Sequence, residues 1–173
     1  QPHGWGMTAL YQDRAQAIWI GYGDVAQYKN GQMHYNILPG VKDVRAITQD
    51  RQGAMWFGTV DGLVKVADGM RQTYRQAEGL VHNQVTCLYE DQTGALWIGT
   101  VGGLSCWQNG KFTNYTTQDG LSNNHVRDIY EDKQGHLWLA TYGGGLNCLP
   151  KGRLATVTTK QGLADDYLSR ILV

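Results

Sequence analysis

One phrase recurs four times along this chain, and it limits what the chain can become more than any other feature. "EDQTGALWIGTVGGL" at residues 90–104 returns as "EDKQGHLWLATYGGGL", as "QDRQGAMWFGTVDGL" and, more faintly, as "QDRAQAIWIGYGDV". Its tryptophans, Trp19, Trp56, Trp97 and Trp138, lie 37, 41 and 41 residues apart. A second marker, Gly followed by Leu or Val at Gly40, Gly79, Gly120 and Gly162, keeps nearly the same period. A fixed period of about forty residues belongs to architectures in which each unit buries its faces only against its neighbours.

Each unit reads as four strands. In the third, "VTCLYED" is a strand ended by Asp91 and Gly94, the first and fourth residues of a type I turn whose carboxylate bonds backbone amides. "ALWIGT" follows, then Gly102-Gly103 for the next reversal, "LSCW", the hairpin pair Asn109-Gly110 and "KFTNYTT". The other units repeat the turn at Asp50 and Gly53 and at Asp132 and Gly135, and the hairpin at Asn30-Gly31, Asp68-Gly69 and Lys151-Gly152. No segment keeps a helical period. Composition agrees: 23 Gly, 6 Trp and 10 Tyr beside only 2 Phe and 3 Pro suit short strands and tight turns. The expected fold class is all-β, a β-propeller with each unit's first strand nearest the axis.

The blades are expected at about residues 1–40, 41–79, 80–120 and 121–162, with 163–173 as the first strand of a fifth. Four blades plus one surplus inner strand predict a fragment of a larger propeller. Its partners would then be further blades or another copy of the chain, since open ends expose faces that repeats normally cover.

At these residues a resemblance becomes specific. The phrase N-x-V-x-x-I-x-E-D-x-x-G-x-L-W-I-G-T-x-x-G-G-L resembles the two-component regulator propeller repeat. It is matched by Asn83, Val85, Leu88, Glu90, Asp91, Gly94, Leu96, Trp97, Ile98, Gly99, Thr100 and Gly103-Leu104. It is matched again by Asn124, Val126, Ile129, Glu131, Asp132, Gly135, Leu137, Trp138, Thr141 and Gly145-Leu146. The second unit departs where its incoming loop is shortened around Lys42-Asp43, and the first where Ala15-Gln16 replaces the turn glycine. The resemblance implies a ring of roughly seven blades. It also implies the periplasmic or extracellular input region of a bacterial membrane sensor, such as a histidine kinase or diguanylate cyclase, whose membrane segment and output domain lie downstream.

Repeated residues are structural before they are functional. The four tryptophans suit the wedge between twisted blades. One carboxylate per turn at Asp50, Asp91 and Asp132 falls well short of the six to eight oxygens of a calcium site, so no metal is expected. "GYGDVA" satisfies a dinucleotide pattern, but a strand and a hairpin come next where that motif needs a helix, and no cofactor is expected. No hydrolase, zincin or Cys-x-x-Cys motif occurs, and the five histidines occupy different repeat positions. Streptogramin lyases, another propeller class, use histidine chemistry, and no such constellation maps onto these positions. Fifteen basic and fifteen acidic residues balance, which removes the electrostatic case for nucleic acid. Cys106 and Cys148, at equivalent positions where other units place Gln27 and Lys65, are too far apart to bridge and are expected to be partly exposed. Cys87 reads as a small apolar filler on an inner strand.

Chemistry that varies sits in loops around the axis. Asn83, Asn124 and Asp166 share a position that reads as a loop cap, while neighbouring Trp5, His82, His125 and Tyr167 are candidate ligand contacts. Arg45 and Arg127 share a position on the innermost strand. If they project into the channel, two forked cations would suit a carboxylate, sulfate or sugar acid, the alternative being pairing with Asp43 or Asp128. The expected function is a non-catalytic sensor module recognising an extracellular glycan, peptide or small molecule. A protein-binding scaffold is the alternative, and a propeller lyase or hydrolase the weaker one.

Overall fold

The computed structural model describes residues 6–149 and 155–172. It contains four sheets, each a meander of four antiparallel strands joined in sequence order. Blade 1 comprises β1 (Ala9–Gln12), β2 (Ile18–Gly21), β3 (Val25–Lys29) and β4 (Gln32–His34). Blade 2 comprises β5 (Val44–Gln49), β6 (Met55–Thr59), β7 (Gly62–Ala67) and β8 (Met70–Tyr74). Blade 3 holds β9 (Val85–Glu90), β10 (Leu96–Thr100), β11 (Leu104–Gln108) and β12 (Lys111–Tyr115). Blade 4 holds β13 (Val126–Glu131), β14 (Leu137–Thr141), β15 (Gly145–Leu149) and β16 (Ala155–Val157).

The turn chemistry explains the meander. Gly53 N–H donates to Asp50 O at 2.9 Å, and Gly53, Gly94 and Gly135 take φ of 93°, 86° and 81°, where a side chain would strain the backbone. In blade 1 Gln16 occupies that left-handed position at φ 66°. Both residues of Asn30-Gly31, Asp68-Gly69 and Asn109-Gly110 have positive φ, as a type I′ hairpin requires. Lys151-Gly152 lies outside the described residues.

The Asp of each turn has a second task. Its Oδ1 accepts the amide of the residue four on, and its Oδ2 accepts the indole N–H of the blade tryptophan six on. These indole bonds measure 2.8 Å for Asp13–Trp19, 2.7 Å for Asp50–Trp56, 2.7 Å for Asp91–Trp97 and 3.0 Å for Asp132–Trp138. Trp56 and Trp97 therefore enter the core with their single donor satisfied, while Trp19 and Trp138 are half-buried with the same bond made.

Blades stack through three apolar clusters, one in each gap between consecutive sheets. Val44, Ile47 and Phe57 meet Val25 and Trp19 between blades 1 and 2. Trp56, Leu63 and Tyr74 meet Leu96 and Ile98 between blades 2 and 3. Trp97 and Leu104 meet Ile129 and Leu139 between blades 3 and 4. Strands β6 and β10 lie between two neighbours and are buried at every residue. Polar pins cross the same gaps: the side chains of Gln49, Glu90 and Glu131 accept the amides of Arg14, Arg51 and Gln92 in the preceding blade at 3.0, 3.0 and 2.9 Å.

Two expectations need correction or completion. Cys106 and Cys148 are buried, each 9% exposed, not partly exposed as their Gln and Lys counterparts suggested. The position pairs directly with the blade tryptophan, and Lys65 fits it by laying its ammonium 5.0 Å from the Trp56 ring. All three cysteines are free, and burial pushes the Cys87 thiol up to about 12 and the Cys106 thiol to about 11. Beyond blade 4, the described part of 163–173 forms no strand. It is held by an isolated bridge between Tyr142 and Tyr167, by Leu168 N–H on Thr141 O at 3.2 Å, and by Ile171 N–H on Asp128 Oδ2 at 2.8 Å.

Candidate functional site

The inner strands of blades 2, 3 and 4 share one irregularity. In β5, Val44 faces Thr59 while Ala46 faces Gly58, so Arg45 has no partner. Thr86 in β9 and Arg127 in β13 are skipped in the same way. A bulge of this kind re-aims one side chain off the sheet. Here it turns Arg45, Thr86 and Arg127 into a cavity of about 340 Å³, which Thr8, Gln84, Ser169 and Arg170 also line.

Arg45 and Arg127 are both exposed, and among the described residues neither forms an ion pair. Asp128 does not pair with Arg127; it accepts Ile171 N–H instead. Among the described residues that line the cavity there are guanidinium groups and no carboxylate.

Arg127 leads to a second group. Its guanidinium lies 5.8 Å from the centre of the Tyr142 ring. Tyr142 stands between His125, at 5.4 Å, and Tyr167, at 4.9 Å and edge-on. Tyr142 and Tyr167 are 50% and 62% exposed. Burial, and then the adjacent Arg127 charge, lower the His125 pKa from its ordinary value.

The structure therefore joins Arg45, Arg127, His125 and Tyr167 around one end of the axis. His82 stands apart, packed over Gly102, with its Nδ1 accepting Gln84 N–H at 3.1 Å. Trp5 lies outside the described residues. The recurrent Asn83, Asn124 and Asp166 cap the short 3₁₀ helices Gln76–Glu78, Thr117–Asp119 and Thr159–Gln161, accepting amides at 2.9, 2.7 and 2.7 Å. Tyr142 escaped sequence reasoning, although one signal was available: it follows Thr141 where Val60 and Val101 follow their threonines. Among the described residues no three or more His, Cys, Asp or Glu side chains converge as metal ligands would. No helix there is long and apolar enough to cross a membrane.

Four-stranded meanders stacked face to face, with their first strands around a common axis, define a β-propeller. Three of its repeats match the profile of the two component regulator propeller, at residues 38–61, 79–102 and 120–143.

Solved structures agree. The extracellular domain of the hybrid two component system BT3049 from B. thetaiotaomicron superposes with a TM-score of 0.85 at 26% identity, over 94% of this chain. The corresponding domain of BT4673 from the same organism gives 0.67 at 18% identity over 96%. The chain spans 24% and 33% of those two structures. Virginiamycin B lyase from Staphylococcus aureus shares the fold, with a TM-score of 0.71 and 14% identity over 90% of this chain and 57% of the lyase. A search of curated proteins returned no match.

Proposed function

We propose that this chain is part of the extracytoplasmic input region of a bacterial two-component sensor, and that it binds its signal without chemically changing it. The propeller presents an anionic small molecule or glycan with Arg45 and Arg127 at the axial cavity and with Tyr142 and Tyr167 at its rim. Binding is passed to an output domain elsewhere in the longer protein. The similarity to extracellular domains of two-component systems supports the setting. The observation that carries the binding role is the pair of bulged arginines, exposed and without ion-pair partners among the described residues.

A thermal-shift screen of acidic and neutral oligosaccharides, peptides and small carboxylates tests this, since binding raises apparent stability by mass action. An acidic compound should raise Tm in the wild type and not in Arg45→Gln/Arg127→Gln, whose own Tm should stay close to wild type. A ligand that stabilises both proteins equally, or that is converted to product on incubation, would refute the reading.

A further inference from the structure

The position that carries Arg45 and Arg127 alternates around the axis: Thr8, Arg45, Thr86, Arg127, Ser169. The two threonines are not bystanders. Thr86 Oγ1 donates to the carbonyl of Val126, forty residues away in the next blade. Thr8 Oγ1 donates in the same way to the carbonyl of Val44, with Gly21 O also near at 3.1 Å. Val44 and Val126 are the residues immediately before the bulged arginines, so each carbonyl belongs to the peptide unit that leads into one of them. A hydroxyl bond to that carbonyl resists rotation of the peptide and hence of the bulge that aims the guanidinium.

A hydroxyl has one proton. With it committed to a carbonyl, Thr8 and Thr86 face the cavity with acceptor lone pairs alone and have nothing to donate to an anion. Recognition of an oxyanion at this level falls to the guanidinium forks of Arg45 and Arg127.

We infer that Thr8 and Thr86 are positioning residues of the axial site. Each latches the neighbouring blade's bulge so that Arg45 and Arg127 meet the oxygens of a sulfate, phosphate or carboxylate group. This deepens the reading proposed above and rests on it.

Isothermal titration of the whole chain with sodium sulfate, sodium phosphate and sodium citrate, at ionic strength matched with sodium chloride, provides the test. Which of the three binds identifies the chemical source of the oxyanion. Thr86→Val should weaken binding roughly tenfold, about the effect of one hydrogen bond and the geometry it holds. Thr86→Ser keeps the hydroxyl and should restore wild-type affinity. Arg45→Gln/Arg127→Gln should abolish binding. If the double arginine variant loses binding while Thr86→Val retains it, the latch is wrong and the site stands. If Thr86→Ser is as weak as Thr86→Val, the hydroxyl has no positioning role and the latch is again wrong. Failure of the wild type to bind any of the three, or full binding by the double variant, would overturn the site and the latch together.

Discussion

The Asp–Trp bond is the smallest unit that couples turn to core. Asp91 illustrates it, accepting from Ala95 N–H at 3.0 Å, Thr93 Oγ1 at 2.6 Å and Trp97 Nε1 at 2.7 Å. Burial alone would raise the Asp91 carboxyl, but these bonds outweigh it and hold the group below its usual range. The folded state therefore favours the ionised form more than the unfolded state does. The resulting stability is complete above the ordinary pKa of about 3.9 and is lost as pH falls through the lower folded value. Trp97→Ala is expected to cost about 3–5 kcal/mol, as for other buried aromatics. Trp97→Phe keeps most of the ring but strands the carboxylate, and should cost about 1–3 kcal/mol. Asp91→Asn should lower stability at pH 7 and flatten the fall in Tm between about pH 5 and pH 2. Urea titrations for the tryptophan variants and a pH series of melting curves for Asp91→Asn check these outcomes; an unchanged acid limb would remove the linkage.

Blade stacking at the element scale depends on how closely an inner strand approaches its predecessor. A Cβ on Gly58 would fall 2.4 Å from Val85 Cγ1, and one on Gly99 would fall 2.3 Å from Cys87 Sγ and 3.1 Å from Val126 Cγ1. The glycine of each "WIG" or "WFG" phrase is thus the seat for the next blade's valine. Gly58→Ala should force β6 and β9 apart and cost about 1–3 kcal/mol, the usual range for overpacking a filled core. Gly31→Ala makes a useful contrast: its surroundings are open, and only the left-handed φ of 78° opposes it, at about 1 kcal/mol. Equal midpoints for the two variants in urea would count against the close approach.

Across the whole molecule, one face stands out. In blades 2 to 4, the side that meets the preceding blade is buried, with Ile47 at 8% and Phe57 fully covered. The same side of blade 1 carries Leu10 at 65%, Tyr28 at 44% and Met33 at 39% exposure. The register Ile18–Tyr28–Met33 and Leu10–Ile20 places these residues on one face of the sheet. Leu10→Lys/Tyr28→Lys is expected to reduce association of the chain in sedimentation velocity runs over a concentration series. Identical profiles for wild type and variant would show that this face does not mediate contact between copies.

Blades, turns and hairpins were legible in the sequence because their causes are local. Asp at the first and Gly at the fourth turn position, Asn-Gly at the hairpin and a period near forty act within a single unit. The bond of each blade tryptophan to the Asp six residues earlier was not read, despite the need of an indole N–H for an acceptor. The burial of Cys106, the open pairing state of Arg127, the display of Tyr142 and the Thr86 hydroxyl on Val126 were decided only by tertiary structure. Each depends on a bulge that shifts register by one residue, or on a contact made between stacked blades. Local residue preference determines the blade, whereas the twist and stacking of separate blades determine which side chains meet at the axis.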